Sequence, residues 1–323
     1  MKIYYKSINN EANEWLAHEL IVKGMKNSKP KLHLQACGRG FFKLCYDEKT
    51  VFWAKQHCCY YGVALLKTFD YESILSPIRS SEVEKRKALT KAEALESWSS
   101  YFMDDLKRNA DELLYDGTWM MSAYVHDTKY NNYAQLHKNN IAHACIYGVE
   151  DALNETAFQQ IDWFMGDEDS FVNLKKVDEY DGRLKWWRKK ARENVLPPVV
   201  LLPISGLQHY IVLDGHYRLK AAYDEGVNVD ILLLQPTEKT VYSWDNERKR
   251  KSILKHIEHN NFGIEKTNNL LLQAYHNEDV YYDARSRVFG STSEGMREVI
   301  TYLHTLDSMD RMQSFFNGEW NEE

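Results

Sequence analysis

Residues 197–234 read PPVVLLPISGLQHYIVLDGHYRLKAAYDEGVNVDILLL, and the order of apolar runs and turn residues in this stretch decides the fold. Pro197 and Pro198 cannot continue a helix, so they end whatever precedes them, and the apolar run at 199–202 reads as a strand bracketed by Pro203. After Gly206 the run QHYIVL is a second strand, Asp214-Gly215 a tight turn, and HYRLKAAYDEG a short helix closed by Gly226. VNVDILLLQP then supplies a third strand. Three strands and one helix in so few residues predict a small mixed sheet with a helix on it.

Outward from this core the patterns change character. Residues 171–195 predict a strand or turn and then a basic helix, with Leu184, Trp187, Ala191 and Val195 on one face. Residues 31–55, rich in aromatic and β-branched residues around Gly38-Arg39-Gly40 and Asp47-Glu48-Lys49, predict a β-meander. Ser81 with Glu84, and Thr90 with Glu93, have the spacing of a capping box at a helix start. In the second of these helices Leu95, Trp98, Phe102 and Leu106 form one apolar stripe. Residues 128–170 give no clear topology beyond helical stretches near 153–164. Residues 246–272 read as helical from the basic run ERKRK, residues 280–289 as a strand, and 293–307 as a helix. The expected class is α/β (α+β): a small mixed sheet at 156–240, an α+β part with helices at 1–155, and a mainly helical part at 241–323.

Composition bounds the function. The 323 residues carry 47 acidic against 41 Lys and Arg, a net charge of −6, with 44% hydrophobic residues, so the chain is globular. That acidity argues against a surface devoted to coating DNA. The longest apolar runs are strand-sized, far short of the roughly 20 residues of a membrane helix. The N-terminal MKIYYKSINNEANEW lacks an apolar signal segment. Five cysteines, Cys37, Cys45, Cys58, Cys59 and Cys145, are an odd and sparse set, which fits a reducing cytoplasm rather than a disulfide framework. Cys58-Cys59 and His143 with Cys145 lack the paired spacings of a zinc site and read as core or incidental residues.

The chemistry sits in the turn Asp214-Gly215-His216-Tyr217-Arg218. The first amides of a helix have no partner within it, and the helix dipole favours an anion beside them. Gly215 leaves that approach open, and Arg218 can add a two-pronged contact to a phosphate or carboxylate, so that Arg218→Ala is expected to weaken nucleotide binding with little loss of fold. Asp214 would repel the same phosphate unless a cation lies between them, which implies Mg2+ if the anion is a nucleotide. The alternative reading has Asp214 as a cap and Arg218 as its ion-pair partner.

Through this turn, the Pro-led strand and hairpin before it and the Ala-rich helix after it, residues 170–235 resemble the ParB/sulfiredoxin superfamily. There the turn binds nucleotide phosphates, in CTP-dependent partition proteins, ATP-dependent sulfiredoxins and free-serine kinases. His216 stands where sulfiredoxins carry a catalytic Cys, and His216 and Tyr217 replace the middle of the partition proteins' Gly-Glu-Arg-Arg. The free-serine kinases use Asp-Gly-His-His-Arg, from which DGHYR departs only at Tyr217. The resemblance implies a nucleoside triphosphate or diphosphate (ATP or CTP) with Mg2+ on Asp214, and contacts from Gly215, His216, Tyr217 and Arg218. It also implies a catalytic Asp214 and an acid near the preceding helix, with Glu179 about rightly placed and Asp178 and Asp181 beside it. His216 would shuttle a proton or bond phosphate, or serve as a structural imidazole.

The basic helix offers a second site class. Lys185, Trp186, Arg188, Lys189 and Arg192 interleave cations with an indole, as a nucleic-acid backbone and a stacked base would need, or they form an ordinary solvated face. The leading functional expectation is a nucleotide-dependent phosphotransferase or nucleotide hydrolase, a kinase or NTPase acting on a small hydroxyl-bearing acceptor. The alternatives are a nucleotide-gated ParB-like protein that binds DNA or a protein partner without efficient catalysis, and a ParB-like nuclease. No membrane partner is expected.

Overall fold

The computed structural model describes all residues except 11, 26–28, 58–61, 124–142, 145–155, 163–170, 244–246, 276–277, 285, 307–314 and 317–323. Cys58, Cys59 and Cys145 lie outside the described residues. The chain divides into two compact units, one of residues 1–131, 136–237 and 284–323, the other of residues 132–135 and 238–283. The division expected near 155 does not separate two bodies, and the physical reason is strand pairing.

The larger unit is built on two sheets. Strands β1 (Lys2–Asn9), β2 (Trp15–Lys23), β7 (Gly117–Ala123), β13 (Val229–Ser243), β11 (Val199–Ile204), β12 (His209–Asp214) and β10 (Phe171–Val172) lie in that order in one mixed sheet. β11 runs antiparallel to β12 and parallel to β13, and β10 is parallel to β12. β13 then pairs antiparallel with β7, from Leu232↔Ala123 to Thr237↔Thr118, and at Val229 and Asp230 with the short β8 (His143–Ala144), while β7 pairs with β2. The mixed sheet expected at 156–240 is therefore not small. Its neighbours β1, β2 and β7 come from the N-terminal part, which is α+β as expected, and Leu20, Trp119 and Met121 are buried in the shared core.

The second sheet orders β15 (Val288–Ser291), β3 (Leu32–Gly38), β4 (Phe41–Tyr46), β5 (Lys49–His57), β6 (Gly62–Lys67) and β9 (Phe158–Asp162). The expected meander is β3 to β5, antiparallel throughout. The helix expected near 153–164 is instead strand β9 where it is described, since Phe158 and Ile161 are buried by pairing with the wholly buried β6. The strand expected at 280–289 divides into β14 (Glu278–Ala284) and β15.

Eight helices are described: α1 (Ser80–Arg86), α2 (Lys91–Arg108), α3 (Ala110–Leu113), α4 (Gly182–Arg192), α5 (His216–Glu225), α6 (Glu247–Glu258), α7 (Ile264–Tyr275) and α8 (Gly295–Thr305). The stripe Leu95, Trp98, Phe102 and Leu106 of α2 is buried in the main core. Its start is the expected capping box, with Thr90 Oγ1 accepting from the Glu93 amide and the Glu93 carboxylate accepting from the Thr90 amide. The box expected at Ser81 and Glu84 is absent: α1 begins at Ser80 after an uncapped Arg79, and the Glu84 carboxylate takes Lys190 Nζ at 2.8 Å instead. Pro203 lies inside β11 but beyond the ladder with β13, which covers residues 199–201, so its missing N–H leaves no gap there. The second unit holds residues 238–243 of β13, α6, α7 and most of β14. Among the described residues no helix is long and apolar enough to cross a membrane.

Replacing Thr90 by Ala should lower the urea midpoint by an amount worth about 1 kcal/mol, with the denaturant slope unchanged. A variant as stable as the wild type would remove the box from the forces that hold α2.

Candidate functional site

β12 ends at Asp214, and the chain must turn at once into α5. Gly215 makes this turn with φ +109, a left-handed value that a side chain resists. A Cβ there would also lie 2.8 Å from Arg218 Nη2 and 3.1 Å from Val199 Cγ2. No side chain caps the N-terminus of α5. The carboxylate of Asp214 looks across the turn: Oδ2 accepts from Arg218 Nη2 at 2.7 Å and Oδ1 from Ser73 Oγ at 3.0 Å.

Arg218 is not a surface ligand. It is 2% exposed, donates also to Pro198 O at 2.9 Å, and lies over the Trp187 ring at 5.6 Å, while its Nε has no partner. Of the alternative reading the ion pair of Arg218 with Asp214 is present, but the cap is not, because Gly215 is the N-cap residue and the Asp214 carboxylate faces Arg218 and Ser73 instead. Burial works to raise the Asp214 pKa, but the charge and hydrogen bond of Arg218 and the bond from Ser73 outweigh it, so the carboxyl is held below its usual value.

His216 is buried, and its Nε2 accepts the Leu174 amide at 3.1 Å. That bond requires the Nδ1–H tautomer. Burial pushes its pKa down to about 3; Asp214 opposes this, while Lys175, Arg218 and Lys67 add to it. At neutral pH the ring is neutral with its basic nitrogen occupied, so His216 is a structural imidazole rather than a proton shuttle.

Tyr217 bonds to the Asp181 side chain, which also accepts the Arg183 amide and so caps α4. Asp181 is thereby a capping residue. Asp178 accepts the Tyr180 amide in a local turn. Glu179 is in that turn, its side chain 64% exposed and 3.7 Å from Lys220 Nζ, with no bond to the Asp214 cluster. The structure does not bring Glu179 to the turn as a second carboxylate.

The sequence reading missed everything that the segment after β6 and the segment after β10 contribute. Tyr71 Oη donates to Leu213 O at 2.8 Å, pinning residues 68–79 beside the end of β12 and placing Ser73 on Asp214. Lys67, fully buried, donates to Gln159 Oε1 at 3.1 Å and Asn173 Oδ1 at 2.9 Å. Phe69, at φ +63, has Lys67 Nζ and Lys176 Nζ each 5.0 Å from its ring centre. A lone hydroxyl, a lysine ending a strand and two consecutive lysines bear no motif that would have marked them in advance.

The basic helix is the expected one, with Leu184, Trp187 and Ala191 buried, but much of its charge is engaged. Arg188 pairs with Asp224 and Arg192 with Glu225, both on α5, and Lys190 holds Glu84 and Glu193. Lys185 and Lys189 are exposed, while Trp186 is half-buried against the main core with its ring 4.2 Å from that of Trp187. The arrangement leaves no row of free cations beside an open indole.

A Mg2+ ion does not fit Asp214 as it is held, because both carboxylate oxygens are engaged and one faces a guanidinium at 2.7 Å. Among the described residues no group of three His, Cys, Asp or Glu side chains could hold a metal. Comparison of the chain with protein-family models, with curated proteins and with solved structures finds no match in any of the three.

Two outcomes follow for stability. Arg218→Ala, expected from the sequence to spare the fold, should instead cost about 3–5 kcal/mol in chemical denaturation, since it leaves a carboxylate beside an emptied guanidinium site. His216 titrates lower folded than unfolded, so its contribution is present above about pH 6.5 and lost as pH falls towards about 3, with a slope of up to about 1.4 kcal/mol per pH unit. His18, pushed down by burial to about 4, acts in the same direction. His216→Gln should flatten the acid limb of the stability curve; an unchanged limb would contradict the buried neutral imidazole.

Proposed function

We propose that the chain is a nucleotide-dependent phosphotransferase or nucleotide hydrolase acting on a small hydroxyl-bearing molecule, working in the cytoplasm. One observation carries this reading. Asp214, an ionised carboxylate bonded to a hydroxyl, stands one residue before an uncapped helix N-terminus, with Lys67, Lys175 and Arg218 all close enough to act on the neighbouring His216. The helix amides and the surplus of cations favour a phosphate, and a carboxylate of this kind can take the proton of a reacting hydroxyl. The resemblance of the turn to the ParB/sulfiredoxin superfamily supports the same substrate class.

In this proposal the residues divide the work simply. Arg218 holds the Asp214 carboxylate in place and ionised rather than touching phosphate. Gly215 gives the turn its left-handed geometry, and the opening amides of α5 at His216, Tyr217 and Arg218 face the anion. Any Mg2+ arrives on the nucleotide's own phosphate oxygens.

A second reading, a nucleotide-gated protein that binds DNA or a protein partner with little catalysis, draws on a specific observation. Both oxygens of Asp214 are occupied, and Glu179 stays with Lys220, so no second carboxylate assists. Turnover separates the two readings.

The first measurement is a thermal-shift series with ATP, ADP, CTP and GTP, each with and without Mg2+. A ligand at a hundred times its Kd stabilises the native state by about 2.7 kcal/mol, so one nucleotide class should raise the melting temperature selectively. Asp214→Asn, assayed below its own melting temperature, should keep that binding and lose turnover. No shift with any nucleotide would overturn the proposal, and turnover unchanged in Asp214→Asn would remove the base.

A further inference from the structure

We propose that Ser73 is itself a phosphoryl acceptor of this site, so that the chain phosphorylates its own residue 73. The inference rests on the nucleotide reading above and goes beyond it by naming an acceptor. It comes from the geometry around Asp214. Ser73 Oγ donates to Asp214 Oδ1 at 3.0 Å, the relation an acceptor hydroxyl takes up towards a general base. Leu75 O is a second acceptor within reach of the same hydroxyl, at 3.3 Å, and the ionised carboxylate is the nearer and the stronger of the two. Among the described residues no other side-chain hydroxyl is bonded to Asp214.

The serine is both accessible and held. Residue 73 is exposed, while Tyr71 on one side is 2% exposed and bonded to Leu213 O, and Ile74 and Leu75 on the other are buried. Ser76 then fastens the segment by two bonds to Asp105. These anchors bring the hydroxyl to the mouth of the turn without a substrate to carry it there, so the effective concentration of acceptor at the base is high.

The step balances with a nucleoside triphosphate as donor. Ser73 Oγ forms a bond to the terminal phosphorus, the bond between that phosphorus and the bridging oxygen breaks, and a nucleoside diphosphate leaves. The hydroxyl proton passes to Asp214 and from there to solvent. Ser73 has a single hydroxyl, so the reaction stops at one phosphate per chain.

The test uses the full chain, treated first with a phosphatase that is then removed, and incubated with ATP, CTP or GTP and Mg2+. Peptide mass spectrometry should find a single phosphate on Ser73, appearing at a rate independent of protein concentration. Ser73→Ala should lose it entirely, with nucleotide binding kept, and Ser73→Thr should retain it. Nucleotide binding without phosphate on Ser73, or phosphate on another residue alone, overturns this inference and leaves the binding site standing. Failure of every nucleotide to bind overturns both.

Discussion

A guanidinium buried to 2% exposure is expensive to take out of water, and the contacts of Arg218 show what offsets that cost. Its Nη2 bonds at once to the Asp214 carboxylate at the end of β12 and to the Pro198 carbonyl before β11, and its guanidinium carbon lies over the ring of Trp187 of α4. One side chain on α5 therefore ties together two strands and a second helix. Gly215 is part of the same arrangement, because the guanidinium lies where a Cβ would project. The turn has its shape because Arg218 folds back into it.

This ion pair also sets the chemistry of its neighbours. Holding Asp214 ionised keeps an acceptor at the mouth of the turn, while committing Arg218 removes the most obvious phosphate ligand. The remaining positive charge near the turn belongs to Lys67 and Lys175, which lie outside it and act on His216 from other elements. Lys67 ends β6 of the second sheet, and Lys175 and Lys176 follow β10 of the first. The site is composite, and the two sheets of the larger unit each supply part of it.

The basic helix illustrates the same dependence on partners. Six cations within ten residues, taken alone, allow either a binding surface or an ordinary solvated face. Packed on α5, Arg188 and Arg192 meet Asp224 and Glu225, so the charges bind two helices to each other. Exposed pairs of this kind add little stability, but they fix orientation and use up the charge that a nucleic-acid backbone would need.

Much of the local structure was legible in the residues. The three strands and the helix between 197 and 234, the αL cap at Gly226, the Thr90 box and the apolar stripe of α2 all depend on interactions within a few residues, where periodicity, proline and glycine act directly. The candidate turn was legible for the same reason: its glycine answers a backbone need that is local. The N-terminal strands of the large sheet, strand β9 and the Ser73 and Lys67 contacts depend on pairing across tens to more than a hundred residues. An amphipathic stretch such as 158–162 satisfies either period until a buried neighbour such as β6 selects one. Charge was the least legible property of all. Whether Arg218 faces phosphate or Asp214, and whether Arg188 faces solvent or Asp224, follows from which opposite charge the packed chain brings within a few ångströms, and Coulomb energies at that range outweigh any preference written in the residue type.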